Sequence, residues 1–243
     1  SDKRYADMKA QLDQLAAQRA AAGTPAGDPA VAPVAPAPAP VEAAPPEKRD
    51  APAWTADQKQ WIAKYESKFS GDAPMANPGQ AEQENDLIGS KLPQTRFLSA
   101  AGGVIDLNDY TKKKQKVVLV MLRGFSGSIC LYCSAQTLAM TRAEAEFKKR
   151  NTQVVLVYPG KADTVPMFLD AVSKIDPKTP LTYPVGMDVD LAAVHLFRIR
   201  GELAKPASLI LDENGVVRYA YVGANPADRP SVKDLLTELD KQK

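Results

Sequence analysis

The sequence predicts an α/β protein with a mixed central β-sheet flanked by helices, preceded by a helical and Pro/Ala-rich extension. Val117 to Leu122 is an unbroken apolar run, which is typical of a strand in the centre of a parallel sheet. Amphipathic helical segments and further apolar strands alternate after it. Ala207–Leu211 and Val216–Val222 are then joined by Asp212-Glu213-Asn214-Gly215, a strong signal for a hairpin turn.

The first 53 residues divide into two segments. Residues 1–22 carry Met8, Leu12 and Leu15 at helical spacing and predict a short helix. Residues 23–53 contain nine prolines and ten alanines, which cannot bury a core. They predict an extended tether of the polyproline II type.

Residues 54–80 predict an aromatic-rich helix followed by a loop. Thr55 and Gln58 have the spacing of a capping box at the start of this helix. Its apolar set consists of Trp54, Trp61, Ile62, Tyr65 and Phe69. Because such an aromatic stripe is normally buried against a partner surface, we expect it to dock either on the following domain or on another protein.

Residues 81–243 predict the α/β domain. The predicted strands are a pair between Leu92 and Leu107 around a Gly102-Gly103 turn, then Val117–Leu122, Val154–Tyr158, Tyr183–Met187, Ala207–Leu211 and Val216–Val222. The predicted helices are Leu131–Arg150, Asp163–Ile175, Leu191–Phe197 and Ser231–Leu239. A strand–helix–strand unit followed by a hairpin and a helix implies a mixed sheet with helices on both faces.

Composition excludes some functions and leaves the cellular location to inference. The 31 basic and 29 acidic side chains give a net charge of +2, which argues against a nucleic-acid partner. No apolar run approaches the roughly 18 to 20 residues that cross a bilayer. The Pro/Ala-rich tether before the domain favours an extracytoplasmic, periplasmic location. Membrane tethering through a segment removed upstream of Ser1 is a further hypothesis.

The two cysteines, Cys130 and Cys133, are the most informative residues of the chain. They form a Cys-x-x-Cys motif between the apolar run and a predicted helix. A helix amino terminus favours a thiolate there, because its free N–H groups and dipole stabilise negative charge. Two cysteines are too few for a zinc site without help, and the single histidine, His195, is expected to be a packed or surface residue. No metal is therefore expected.

Two strings of residues extend the pattern to a known family. Val118 to Phe125 followed by Cys130-Leu131-Tyr132-Cys133 resembles the "LRG…CPYC" segment of AhpC/TSA-type redoxins, which are peroxiredoxin-like. Ala207 to Arg218 resembles their "xTFLIDxDGxIR" hairpin, and Tyr158-Pro159-Gly160 also fits. The resemblance covers about residues 85 to 243 and implies a thioredoxin-like fold.

The resemblance also implies roles for individual residues. Cys130 corresponds to the attacking thiol and Cys133 to the resolving thiol, with no cofactor because the sulfur atoms hold the electrons. Pro206 stands where this fold places a cis-proline facing the dithiol, although an ordinary proline at a strand start is the alternative. Tyr132 and Arg123 complete the expected substrate-binding set. Arg123 either favours the thiolate or forms a salt bridge.

The match to one activity is less specific than the match to the fold. Peroxidases of this superfamily carry Pro and Thr or Ser seven and three residues before the attacking cysteine, where this chain has Arg123 and Gly127. These peroxidases also carry an arginine just before the hairpin strand, and this chain has Pro206 at that position. The sequence therefore favours thiol–disulfide exchange with a protein disulfide substrate or redox partner.

Three alternatives stay open. The first is a peroxiredoxin-like peroxidase. The second is a non-catalytic redoxin-fold subunit that supports a larger membrane-associated envelope assembly through residues 1–70. The third is a pair of cysteines with a structural role, or none.

Overall fold

The computed structural model of the protein describes residues 45–73 and 87–242. The strands are β1 (Arg96–Ser99), β2 (Val104–Asp106), β3 (Lys116–Met121), β4 (Thr152–Pro159), β5 (Val185–Asp188), β6 (Ala207–Leu211) and β7 (Val217–Val222). The helices are α1 (Ala56–Ser70), α2 (Leu107–Thr111), α3 (Leu131–Arg142), α4 (Glu144–Lys149), α5 (Val165–Ser173), α6 (Ala192–Leu196) and α7 (Val232–Asp240), with a 3₁₀ turn at Ala162–Thr164. The helix expected in residues 1–22, most of the tether and the loop at 74–80 lie outside the described residues. None of the described helices is long and apolar enough to cross a bilayer.

The strands form one mixed sheet in the order β2-β1-β5-β4-β3-β6-β7. Strands β3, β4 and β5 run parallel, whereas β6 is antiparallel to β3 and β7 is antiparallel to β6. Strand β7 therefore runs in the same direction as β3. As a result, the carboxyl ends of β3, β4, β5 and β7 meet at one edge of the sheet.

Strand β3 is the centre of the sheet, as its apolar run predicts, and all six of its residues are buried. Val118 and Val120 face the core that α1, α3, α5 and α7 cover. Val117 and Leu119 face the second core, to which α2 and α6 contribute. The predicted α/β class with helices on both faces is confirmed.

Two predicted elements differ from the structure by more than two residues at one end. The helix predicted over Leu131–Arg150 is interrupted at Ala143, whose φ of −91° and ψ of 10° leave the helical region. No glycine or proline signals this break, which lets the short helix α4 bury Phe147. The first strand begins at Arg96 rather than Leu92, and Pro93 could not donate a ladder hydrogen bond.

An N-terminal strap, residues 45–55, is fastened along α5. The backbone N–H of Ala51 donates to Asp170 Oδ2 at 2.6 Å, and its carbonyl accepts from Lys174 Nζ at 2.8 Å. The indole N–H of Trp54 donates to the carbonyl of Ala171 at 2.7 Å. The strap leads directly into α1 and fixes where that helix begins.

Helix α1 docks on the domain that follows it, which was one of the two docking sites expected. Thr55 and Gln58 form the predicted capping box. Ile62 and Phe69 are buried in the core shared with α3 and α7. Gly71, with a φ of +93°, ends the helix in the left-handed conformation that favours glycine.

The indole hydrogen bond of Trp54 should contribute measurably to stability. We expect Trp54→Phe to lower the free energy of unfolding by about 1 to 3 kcal/mol, because it leaves a buried carbonyl of Ala171 without its donor. Trp61→Phe is the matched control, since Trp61 is 38% exposed and should change stability by less than about 0.5 kcal/mol. Urea unfolding of both variants measures the difference. Equal losses in the two would show that the indole hydrogen bond of Trp54 does not stabilise the domain.

Candidate active site

The dithiol lies at the carboxyl end of the central strand, where the sequence predicts it. Cys130 is the N-cap residue of α3, and its sulfur accepts a hydrogen bond from the backbone N–H of Cys133 at 3.2 Å. Both sulfurs therefore sit in the opening turn of a helix of 12 residues. The unpaired N–H groups of such a turn stabilise negative charge on sulfur.

The two thiols differ in their access to solvent. Cys130 is 6% exposed and lines a surface pocket, whereas Cys133 is 0% exposed. Both are free thiols. Cys130 is thus the outer thiol, which a substrate can reach, and Cys133 is the inner thiol.

The surroundings of Cys133 stabilise its thiolate. Its sulfur accepts from the backbone N–H of Arg123 at 3.4 Å and from Nη2 of Arg229 at 3.3 Å. Burial alone would raise the pKa of Cys133, but the hydrogen bond from Cys130 and the charge of Arg229 together lower that pKa to about 6. The pKa of Cys130 is raised, because its thiol donates to Cys133 and is itself buried. Near neutral pH the two thiols together therefore carry one proton. Cys130 holds it and donates it in a hydrogen bond to the Cys133 sulfur.

Arg229 is the functional residue that the sequence analysis missed. It lies in the loop between β7 and α7, and only 2% of it is exposed. Its guanidinium donates to Gln136 Oε1 and, through Nε, to the carbonyl of Pro226 at 2.9 Å. The ring of Phe69 in α1 lies 6.0 Å from its central carbon. The topology offers one signal for its position. Strand β7 runs parallel to β3, so the loop that follows β7 lies at the same edge of the sheet as the dithiol.

Arg123 does not supply the cation expected beside the sulfurs. Its guanidinium forms a salt bridge with Glu202, which was the alternative interpretation, and its backbone N–H contacts Cys133 instead. The residue still lines the pocket.

Pro206 does not have the predicted geometry. Among the described residues no peptide bond is cis, so the prediction of a cis-proline is wrong. Pro206 is buried beside Gly223 and is not part of the pocket wall. Its carbonyl accepts from the N–H of Gly223 at 2.8 Å, which extends the pairing of β6 with β7 by one residue. The chain therefore enters β6 in an extended form, as the alternative of a strand-start proline implies.

The pocket over Cys130 has a volume of about 530 Å³. It is lined by Pro52, Ala53, Trp54, Gln58, Arg123, Phe125, Gly127, Ser128, Ile129, Cys130, Leu131, Tyr132, Met167 and Pro226. Most of these side chains are apolar, and the strap forms one wall. Tyr132 is held by Tyr65, with ring centroids 4.7 Å apart, and by Trp61 at 6.1 Å.

Metal ligands and the single histidine were the other candidate functional groups. In the part of the chain that the structure describes, no three His, Cys, Asp or Glu side chains are grouped to hold a metal ion. His195 is exposed on α6, in agreement with its interpretation as a surface residue.

Comparison with known proteins gives one family and a set of related folds. The model of the AhpC/TSA family matches residues 88–220. No curated protein matches the chain. The solved structures that resemble it include the reduced 2-Cys peroxiredoxin of Plasmodium vivax, with a TM-score of 0.55, 17% identity, and coverage of 63% of this chain and 80% of that one.

Two further structures are similar. The mitochondrial 2-Cys peroxiredoxin of Plasmodium falciparum has a TM-score of 0.55 and 14% identity, covering 64% of this chain and 94% of that one. Thioredoxin peroxidase I of Plasmodium yoelii has a TM-score of 0.51 and 19% identity, covering 64% and 90% respectively. At these identities the likeness shows the fold, which is the thioredoxin-like fold of peroxiredoxins. With more than half of its residues matched by the family model and a dithiol at the end of its central strand, the chain belongs to the AhpC/TSA family of redoxins.

Proposed function

We propose that this redoxin-fold oxidoreductase exchanges disulfides with protein substrates through Cys130 and Cys133. The observation that supports this most directly is that the two thiols differ in exposure and in the stabilisation of their thiolates. Cys130 lines an open pocket, while the buried Cys133 is held as a thiolate by Arg229. Exchange needs a sulfur that reaches the substrate and a second one that resolves the mixed disulfide.

The exchange proceeds in two displacements. The proton shared by the pair moves to Cys133, and the Cys130 thiolate attacks one sulfur of a substrate disulfide. That S–S bond breaks, and the second substrate sulfur leaves as a thiolate. Cys133 then loses its proton to solvent or to this thiolate. As a thiolate it attacks Cys130 Sγ and releases the first substrate sulfur. The substrate gains two electrons and the pair becomes a disulfide; the reverse sequence oxidises a substrate.

The pocket supports a polypeptide as the substrate. Its walls are mainly apolar, and its polar side chains include Gln58, Arg123 and Ser128. An apolar cleft of this kind suits the side chains beside a cysteine in an extended segment, since burying them contributes to binding.

A peroxidase is the second candidate, and two observations favour it. The guanidinium of Arg229 lies beside a cysteine thiolate, and the similar solved structures include peroxiredoxins and a thioredoxin peroxidase. Against it, the thiolate at Cys133 is completely buried, and Arg123 and Gly127 stand where peroxidases carry Pro and Thr or Ser. Steady peroxide consumption that Cys130→Ser abolishes would favour this candidate.

An equilibrium titration in glutathione buffers tests the proposal. We expect both thiols to disappear together and reversibly, as the loss of two alkylation sites in one transition, because they form one disulfide. Mass spectrometry after rapid alkylation measures this. A chain in which neither thiol, or only one, responds across the whole buffer range would contradict exchange chemistry.

We also propose that the chain works outside the cytoplasm of a bacterial cell, within a larger membrane-associated assembly that residues 1–70 contact. The Pro/Ala-rich tether supports this, because it can extend well away from the domain. Fractionation of cells that produce the full chain tests the location. If the serine variant of both cysteines keeps an assembly intact that deletion of residues 1–44 disrupts, the chain has a structural role there.

A further inference from the structure

The charge of Arg229 has no carboxylate to balance it in the described part of the chain. No Asp or Glu oxygen lies within salt-bridge distance of its guanidinium. The carboxylate of the neighbouring Asp228 accepts from the hydroxyl of Tyr221 and from the N–H of Ala224 at 2.8 Å instead. The remaining partners of Arg229 are the neutral amide of Gln136 and the carbonyl of Pro226.

Within residues 45–73 and 87–242, the sulfur of Cys133 is therefore the one anion that pairs with this cation. A buried charge without a partner is costly, and breaking a buried pair by removing one member is strongly destabilising. The reduced state satisfies Arg229, because Cys133 is then a thiolate at 3.3 Å. The oxidised state does not, since a disulfide sulfur carries no charge. Disulfide formation thus leaves a cation that is 2% exposed without its counterion.

We propose that Arg229 makes the Cys130–Cys133 disulfide easy to reduce, so that the chain oxidises protein thiols rather than reducing protein disulfides. This rests on the proposed exchange function and sets its direction. The substrate class is a reduced protein with two cysteines.

In the first step a substrate thiolate attacks Cys130 Sγ. The Cys130–Cys133 bond breaks, and Cys133 leaves as a thiolate paired with Arg229. A low-pKa leaving thiol speeds such a step. The second substrate thiolate then attacks the substrate sulfur bound to Cys130. The substrate becomes a disulfide and the pair becomes a dithiol that holds the two electrons. A low-molecular-weight disulfide, such as oxidised glutathione, then re-forms the Cys130–Cys133 disulfide by the same exchange and is itself reduced to two thiols.

The test is the equilibrium constant for disulfide formation in glutathione buffers. Arg229→Met should raise it by about 10- to 100-fold, because it removes both the thiolate's partner and the unbalanced charge of the oxidised state. Each tenfold corresponds to about 30 mV towards a more reducing pair. Arg229→Lys keeps a cation and should restore most of the wild-type value. Arg218→Met is the matched control, because Arg218 pairs with Asp212 on the hairpin, and it should leave the constant unchanged.

A direct transfer experiment accompanies the titration. The oxidised chain is mixed with an equimolar reduced peptide that contains two cysteines, and the disulfide should pass mostly to the peptide. Arg229→Met should retain more of the disulfide. If the pair titrates normally but Arg229→Met leaves the constant at the wild-type value, the direction proposed here is wrong while exchange itself stands. A pair that does not titrate in the wild type would overturn both.

Discussion

Replacing Cys130 by serine is expected to abolish disulfide exchange with protein substrates. The loss should reach about three orders of magnitude or more, as when a nucleophile is removed from other enzymes. Cys130 is the thiol that lines the pocket, and Cys133 is fully buried behind it. The remaining thiolate cannot reach a polypeptide disulfide without opening the first turn of α3. Exchange with a fluorescent peptide disulfide, followed over time, measures the loss.

The complementary variant should fail at a different step. In Cys133→Ser the outer thiol can still attack, but nothing nearby resolves the mixed disulfide, so a stable covalent adduct with the peptide should accumulate. Non-reducing electrophoresis and mass spectrometry detect it. If Cys130→Ser forms the adduct and Cys133→Ser does not, the attacking and resolving roles assigned here are reversed.

The sheet and the position of the dithiol could be predicted because they depend on local patterns. The run from Val117 to Leu122 is short and apolar at every position, which is typical of a strand buried on both faces. The turn signal at Asp212–Gly215 fixed the hairpin, and Asp212 accepts hydrogen bonds from Asn214 and Val216 as such turns require. Cys130 lay between a strand and a helix in the sequence and lies there in the fold.

The polar surroundings of the sulfurs could not be predicted, because they join residues far apart in the chain. Arg229 is separated from Cys133 by 96 positions, and no spacing rule links a loop arginine to a helix cysteine. Arg123 is close to the dithiol in sequence and is therefore a candidate for the cation beside the sulfurs, yet its guanidinium pairs with Glu202. Pro206 was assigned from the position it has in the family, whereas its geometry here follows the pairing of β6 with β7.

The stability of the reduced protein should pass through a maximum near pH 8.5. The pKa of Cys133 in the folded state is about 6, below the value of about 8.5 for an unfolded cysteine. Between these values the unfolded state binds one more proton, so the free energy of unfolding rises with pH and is lost as pH falls through 6. One proton over this window corresponds to about 3 kcal/mol. The raised pKa of Cys130 acts in the opposite sense, because above pH 8.5 only the unfolded state loses that proton.

The oxidised protein provides the internal control for this prediction. A disulfide has no proton to bind in either state, so both the rise and the fall should vanish once Cys130 and Cys133 are joined. Subtracting one profile from the other removes every contribution that the two forms share. Urea unfolding of the two forms from pH 5 to 10 measures the difference. Arg229→Met should flatten the rise in the reduced form, since the charge that lowers the pKa of Cys133 is gone. A reduced protein whose stability follows the oxidised profile through pH 6 to 8.5 would show that Cys133 is not held as a thiolate.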